Sequence, residues 1–240
     1  MIFISKRRKV ILVKLLLGRN SKRQHNRNPI QLQLMNIQSI WNNVHHDDNG
    51  IEKLFRLFLS FSQLLFPGIY LKYATCKKGI EFQDLISELY ILLKVIFPLV
   101  LIYNQWTDNY WLLGLMKYFL LETALYIPTL IFASDLVPQP RSYRRSMILL
   151  FLNYLEIVFA YAVFYASGNY LNKPLIDWYD SIFFSITISS TIGFGEYYPI
   201  TKMGKFLVST QALLLPFYVV LFLNFFSSKL TTRGYFRTND

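Results

Sequence analysis

Four long apolar stretches dominate the pattern of hydrophobic and polar positions along the chain. They cover residues 85–103, 111–133, 147–166 and 206–226, and polar, charged or interfacial aromatic residues bound each of them. A helix needs about 20 largely apolar residues to cross the hydrocarbon core of a bilayer. The pattern therefore predicts an all-α membrane protein with four transmembrane helices.

A further apolar stretch, residues 54–73, differs from these four. Pro67 and Gly68 interrupt it, and basic residues lie at both of its ends. If it crossed the membrane, one basic end would lie outside, although Lys and Arg favour the cytoplasmic side. We therefore interpret residues 51–80 as an amphipathic helix and linker at the inner membrane surface, with a transmembrane helix as the alternative.

The basic residues of the short connections predict the orientation of the chain. Residues 139–146 contain three arginines, whereas residues 104–110 contain no basic residue. Short loops rich in Lys and Arg stay in the cytoplasm, so the first connection is expected inside and the second outside. Residues 81–146 then form a helix pair with its cytoplasmic loop. The basic N-terminal arm, residues 1–50, and the short tail, residues 229–240, both fall on the cytoplasmic side.

Composition and charge agree with a membrane protein. Hydrophobic residues make up 53% of the chain and charged residues only 16%, whereas ordinary soluble domains contain about 25% charged residues. The net charge is +11, and nine of the 25 Lys and Arg residues lie in the first 50 positions. A basic arm beside membrane segments indicates attraction to anionic lipid rather than to nucleic acid. Without a secretory cleavage pattern, the arm is expected to stay on a multi-pass protein of the cell membrane.

A shorter apolar run, residues 178–190, lies between the third and fourth predicted transmembrane helices. Its thirteen residues can enter a membrane but cannot cross it, which predicts a re-entrant helix. The two glycines that follow, Gly193 and Gly195, accept positive φ at little cost, so successive carbonyls can turn toward one side. Such a row of oxygens, with the Thr191 hydroxyl at its inner end, can replace the hydration shell of a monovalent cation.

The segment Thr191-Ile192-Gly193-Phe194-Gly195-Glu196 resembles the selectivity filter of potassium channels, usually written TVGYGD. The following residues, 198–205, are similar to the YPxTxxG stretch that leads into the inner helix of that family. The resemblance covers residues 147–228 and implies an outer helix, pore helix, filter and inner helix around a fourfold axis. Because one chain has one filter strand, it implies a homotetramer. It also implies that potassium is coordinated by the backbone oxygens of Thr191, Ile192, Gly193, Phe194 and Gly195 and by the Thr191 hydroxyl.

Several positions differ from the family pattern. Phe194 replaces the usual Tyr, and Phe183 stands where some relatives have a Trp. Glu196 replaces Asp, while Thr187 occupies a pore-helix position where some members have a carboxylic acid, so no acid pair is expected behind the filter. In the inner helix, Pro216 is the candidate hinge, because a proline removes one helical hydrogen bond. A static kink is the alternative interpretation.

Lys94, Lys117, Glu122 and Glu156 are ionisable residues within the predicted spans. Charged groups within a membrane usually pair with one another, so we expect Glu156 to pair with Lys94 or Lys117 on a neighbouring helix. No arginine occurs between Arg56 and Arg141, which argues against an arginine-rich voltage sensor.

Two groups of residues receive a structural interpretation. The polar arm contains His25, His45, His46, Asp47 and Asp48, which we interpret as a solvated linker rather than a metal site. The lone cysteine, Cys76, cannot form an intrachain disulfide, and we interpret it as a half-buried apolar residue.

The sequence contains no nucleophile elbow, no P-loop and no carboxylates arranged for hydrolysis, so no enzyme activity and no cofactor are expected. Together with the resemblance, it predicts a subunit of a potassium-selective channel whose partners are K⁺, membrane lipid and three further copies. One alternative is a weakly selective cation channel. The other is a non-conducting regulatory subunit, in which the basic arm would be the working part.

Overall fold

The computed structural model describes residues 28–44, 48–133 and 143–230. These residues form eight α-helices. Among the described residues there is no β-strand, only one isolated β-bridge between Leu171 and Pro199. The predicted all-α class is therefore confirmed. The helices are α1 (Pro29–Trp41), α2 (Gly50–Ser62), α3 (Pro67–Thr75), α4 (Ile80–Tyr103), α5 (Tyr110–Phe132), α6 (Tyr143–Ala166), α7 (Trp178–Ser189) and α8 (Lys202–Leu230), with short 3₁₀ helices at Gln63–Leu65, Cys76–Lys78 and Trp106–Asp108.

Four of these helices, α4, α5, α6 and α8, are long and apolar enough to cross a membrane. They coincide with the four predicted spans, which confirms a multi-pass membrane protein. Helix α4 begins at Ile80, earlier than the pattern predicts, directly after Gly79 at a φ of +104°. Hydropathy locates the apolar part of a helix but not its polar first turn, because that turn is fixed by backbone geometry and capping groups.

Helices α2 and α3 meet at an angle of 61°. Phe66 is extended, as the residue before a proline must be, and Pro67 begins α3 because it lacks the N–H that a continuous helix would need. The interruption at Pro67 is therefore confirmed. By length and composition the bent pair could also be one broken span, so the interfacial position of residues 51–80 stays a prediction.

The first compact unit of the chain extends to Leu92. In it, α1 packs against α2 and α3. A buried ion pair joins Arg56 to Asp48 at 2.8 Å, and the Gln33 amide donates to the Ser60 carbonyl at 2.7 Å. The polar side of α2 thus faces α1, whereas its apolar side, which includes Ile51, is exposed. An exposed apolar face is typical of a helix that lies in a membrane interface.

The second unit begins at Leu93, and α6 is its centre. Helix α5 packs against α6 and α8, and the shorter helix α7 packs against the same two helices. Six consecutive residues of α6, from Ala160 to Tyr165, are all buried. A helix that is buried on every side needs apolar residues all round, and this run contains only alanine, valine and aromatic residues.

A cluster of charged side chains lies inside this second unit. The Lys94 amine is 3.0 Å from a carboxylate oxygen of Glu156 and 3.2 Å from one of Glu122. It also donates to the Thr123 hydroxyl at 2.6 Å, and that hydroxyl lies 2.8 Å from Glu156. Glu156 is completely buried. The predicted ion pair is confirmed with Lys94 as the partner, whereas Lys117 lies on an exposed face of α5.

We expect Lys94→Met to lower the free energy of unfolding by about 3–5 kcal/mol, because it leaves two carboxylates buried without their cation. Thermal unfolding of the detergent-solubilised chain measures this loss. Lys117→Met removes the same side chain from an exposed position and serves as the control, with an expected change within about 0.5 kcal/mol. Equal losses for the two variants would contradict a stabilising role of the cluster.

Candidate ion-conduction site

The short helix α7 starts at a reciprocal cap. The Asp180 carboxylate accepts hydrogen bonds from the backbone N–H groups of Ile176 at 2.9 Å and Asp177 at 3.0 Å, and the Asp177 side chain accepts from the Asp180 backbone. The N–H of Asp177 holds the pKa of the Asp180 carboxyl below its usual value, because it stabilises the ionised form. Two capping carboxylates also suit the positive end of the helix dipole. The cap therefore fixes where the predicted pore helix begins.

The end of α7 leads directly into the predicted filter. The N–H of Thr191 donates to the Ile188 carbonyl at 3.1 Å, and the N–H of Ile192 donates to the Thr187 carbonyl at 3.1 Å. These two bonds form a Schellman cap, in which the residue after the cap has a left-handed backbone. That residue is Thr191, with a φ of +58°. From the sequence, positive φ is expected only at the glycines, because a threonine gives no indication of it.

The left-handed backbone of Thr191 is strained, since its β-branched side chain opposes positive φ at a cost of about 1–3 kcal/mol. Its surroundings hold it in place. The Thr191 hydroxyl donates to the Ser190 carbonyl at 2.7 Å, and the Tyr154 hydroxyl of α6 donates to the Ser189 carbonyl at 3.0 Å.

Positive φ recurs at every second residue of the segment. Gly193 has a φ of +55° and Gly195 one of +78°, whereas Ile192 and Phe194 between them do not. A Cβ built on either glycine would meet nothing within 4 Å in one chain. The requirement for glycine therefore comes from the backbone conformation and not from lack of space.

The two phenylalanines that depart from the family pattern contact each other. The rings of Phe183 and Phe194 are stacked, with centroids 5.9 Å apart and an angle of 6° between the ring planes. Phe194 thus contacts Phe183 through dispersion, whereas a tyrosine at this position would also offer a hydroxyl. The Thr187 hydroxyl donates to the Phe184 carbonyl within the helix at 2.8 Å. Thr187 contacts the filter through its backbone carbonyl, not through its side chain.

An ion pair lies at the C-terminal end of the segment. The Lys173 amine is 2.7 Å from the Glu196 carboxylate and 4.5 Å from the centre of the Tyr197 ring. The hydrogen bond to Glu196 raises the pKa of the Lys173 ammonium group. The Asn172 amide donates to the Glu196 carbonyl at 3.2 Å and accepts from the Tyr198 N–H at 2.9 Å. The loop after α6 therefore holds the chain where it leaves the filter, although the exposed pair itself adds little stability.

The stretch that resembles YPxTxxG has a clear structural basis. The Thr201 hydroxyl accepts a hydrogen bond from the N–H of Gly204 at 3.0 Å and so caps α8. A Cβ on Gly204 would lie 2.8 Å from the backbone carbonyl of Tyr170, which is too close for any other residue. The Ile200 N–H donates to that same carbonyl at 3.0 Å. The threonine and the glycine therefore fix the entry into α8.

Comparison with known proteins agrees with this geometry. Residues 146–232 match a family model described as an ion channel. They form an ion channel domain of the potassium-channel pore type. No curated protein and no solved structure matches the chain. The ion channel domain contains α6, α7 and α8, whereas α1 to α5 precede the matched residues.

The predicted hinge lies within the inner helix of the ion channel domain. Helix α8 passes through Pro216 from Lys202 to Leu230. A proline inside a helix leaves one carbonyl without its usual partner, so both a hinge and a static kink fit this position. The role of Pro216 stays a prediction.

Two other groups of residues precede the ion channel domain in the sequence. His25, His45, His46 and Asp47 fall outside the described residues, while Asp48 pairs with Arg56. The described part of the chain has no group of three or more side chains arranged to hold a metal ion. Cys76 is half-buried, as expected.

Sequence reasoning missed one residue of the ion channel domain, Gln211. It is buried within α8 and contacts both other helices of the domain. A single glutamine in an apolar stretch gives no indication of which neighbours its amide will meet.

We expect Gly193→Ala to abolish potassium selectivity or conduction, because a Cβ opposes the φ of +55° at this position. The measurement is the reversal potential and current of the full chain in a planar bilayer. Gly114→Ala is the control, since a Cβ there meets nothing within 4 Å. An unchanged potassium current in Gly193→Ala would remove the filter assignment.

Gly204→Ala is expected to lower the free energy of unfolding by about 1–3 kcal/mol, because the added Cβ forces the backbone away from Tyr170. Thermal unfolding in detergent checks the loss. Gly114→Ala is again the matched control, and it should be neutral or stabilising by up to about 1 kcal/mol. If Gly204→Ala were as stable as the control, the close approach to Tyr170 would not constrain the fold.

Proposed function

We propose that the chain is a subunit of a potassium-selective channel that conducts K⁺ passively down its electrochemical gradient. The observation that carries the proposal is the alternation of positive φ at Thr191, Gly193 and Gly195 directly after a capped pore helix. Alternating left-handed and right-handed residues turn successive carbonyl oxygens toward one side of the strand. Such a row of oxygens suits a monovalent cation that has lost its water.

The proposed ion ligands are the backbone oxygens of Thr191 to Gly195 and the Thr191 hydroxyl. One strand supplies oxygens from one side only, so four strands are needed to replace a whole hydration shell. The side chains of Ile192 and Phe194 are 58% and 68% exposed in a single chain. Exposed apolar side chains mark a surface that binds another protein, which favours further copies of the chain around the segment. We therefore propose a homotetramer with the four strands around its axis.

The proposal places the protein in the cell membrane with both termini in the cytoplasm. The basic residues between α5 and α6 support this orientation, since short basic loops stay inside. Passive conduction needs no covalent chemistry, and the only bound species it requires is the permeant ion.

A weakly selective cation channel is the second candidate. The contact between Phe183 and Phe194 favours it, because two stacked rings lack the directional hydrogen bond that a hydroxyl would give. A Phe194 side chain that has no hydrogen bond to its neighbours lets the segment adjust to ions of different size with less loss of energy. Sodium permeability distinguishes the two candidates.

The first experiment is the reversal potential of the full chain in a planar bilayer with K⁺ on one side and Na⁺ on the other. Before this measurement, the mass of the purified assembly is determined, and we expect the mass of four 28.4 kDa chains. We expect reversal close to the potassium equilibrium potential, because the carbonyl row selects the ion. Reversal near zero with clear current would favour the weakly selective channel. No K⁺ current or K⁺ flux from vesicles under any membrane voltage or pH would favour a regulatory subunit.

A further inference from the structure

A buried amide in the inner helix contacts the last turn of the pore helix. The Gln211 side-chain nitrogen is 2.6 Å from the Ser189 hydroxyl, 2.8 Å from the Ser185 hydroxyl and 3.0 Å from the Ser185 carbonyl. Its side-chain oxygen accepts from the Tyr165 hydroxyl of α6 at 2.7 Å. Gln211 is only 2% exposed. One side chain therefore joins all three helices of the ion channel domain.

The orientation of this amide is determined by its neighbours. The Ser185 carbonyl can only accept a hydrogen bond, and the Ser185 hydroxyl donates its proton to the Val158 carbonyl at 2.6 Å. The NH₂ group of Gln211 must therefore face the pore helix, and its oxygen must face Tyr165. In apolar surroundings each of these groups would lose its solvation without a partner, so the arrangement resists rotation of the amide.

The contacts lie directly behind the predicted filter. Ser189 is the last residue of α7, two positions before the strained Thr191. Its carbonyl is already held by Tyr154 of the outer helix. The hydrogen bond from Gln211 of the inner helix is a second contact that fixes the position of Ser189. Any displacement of α8 along its axis therefore acts on the start of the filter strand.

We propose that Gln211 is a positioning residue for ion selection: its amide holds the end of the pore helix so that the filter carbonyls stay at the spacing that suits K⁺ and excludes Na⁺. This inference rests on the proposed channel function. Gln211 itself contacts no ion. It acts through Ser185 and Ser189, which fix the turn at Thr191.

A second hydrogen bond between α6 and α8 provides a matched control. The Tyr161 hydroxyl of α6 donates to the Thr210 hydroxyl of α8 at 3.0 Å. Tyr161 precedes Tyr165 by one helical turn, and Thr210 is adjacent to Gln211. This bond also joins outer and inner helices, yet neither of its hydroxyl groups makes a hydrogen bond to α7. Removing it tests the effect of helix packing without disturbing the pore helix.

The experiment measures the ratio of Na⁺ to K⁺ permeability from reversal potentials of the full chain in planar bilayers. Gln211→Met keeps the length of the side chain but removes both hydrogen-bonding groups, and we expect the ratio to rise by about fivefold to tenfold. Tyr165→Phe removes one bond to Gln211 and should raise the ratio by about twofold to fivefold. Tyr161→Phe should leave the ratio within about twofold of the wild type.

A double variant tests whether the two residues act through one contact. Gln211→Met combined with Tyr165→Phe should raise the ratio no further than Gln211→Met alone, because both changes remove the same bond. If Gln211→Met does not assemble, the permeability ratio of Ser189→Ala tests the role of Gln211 instead. This variant removes the acceptor at 2.6 Å while keeping Gln211, and it should raise the ratio in the same direction.

The outcomes separate this inference from the channel proposal. A wild-type chain without potassium selectivity would contradict the proposed function itself. A selective wild type whose ratio is unchanged in Gln211→Met, or in Ser189→Ala where the first does not assemble, would overturn the role of Gln211. An equal rise in Tyr161→Phe and Tyr165→Phe would also overturn it, because the effect would then come from general packing between α6 and α8.

Discussion

Two backbone hydrogen bonds decide the direction in which the chain leaves the pore helix, one from Thr191 to Ile188 and one from Ile192 to Thr187. They end α7 and force a left-handed residue at a position occupied by threonine. The neighbouring groups compensate for this strain, since Tyr154 holds the last carbonyl of α7 and Gln211 holds its last hydroxyl. The strand that follows begins from a fixed point, and its geometry depends on that point.

Hydrogen bonds between α6, α7 and α8 fix the rotation and shift of these helices, which apolar packing alone does not fix. Hydrophobic contacts along α6 bury the helix but allow small rotations and shifts. Hydrogen bonds in an apolar environment are directional and costly to leave unmade, so a few of them determine the register of three helices. Around the start of α8, where side chains are more exposed, solvent weakens such contacts, and the chain relies on the backbone hydrogen bond between Tyr170 and Ile200 and on the close approach of Gly204.

The sequence was sufficient to locate the four long apolar helices, because the thickness of a bilayer sets the length of an apolar stretch. It also predicted the positive φ of Gly193 and Gly195, because glycine adopts this conformation at little cost. The sequence did not predict α1 (Pro29–Trp41), which lies in the N-terminal arm where no helix was expected. It did not distinguish Lys94 from Lys117 as the partner of Glu156, since hydropathy does not give the rotation of one helix against another. The left-handed Thr191 could not be foreseen either, because the cap around it imposes that conformation. The polar ends of α4 and α8 depend on Gly79 and Thr201, which lie outside the apolar pattern.

The buried cluster of Lys94, Glu122 and Glu156 has a consequence for the biogenesis of the protein. Each of these side chains is costly to place in lipid alone, whereas in the cluster the Lys94 ammonium group pairs with both carboxylates. The ribosome delivers α4 with its lysine first, and the two glutamates follow on α5 and α6. Inserting any one of the three helices alone would place an unpaired charge in the lipid. We therefore expect membrane integration to be coupled across α4, α5 and α6, so that these three helices enter the lipid as one cooperative unit.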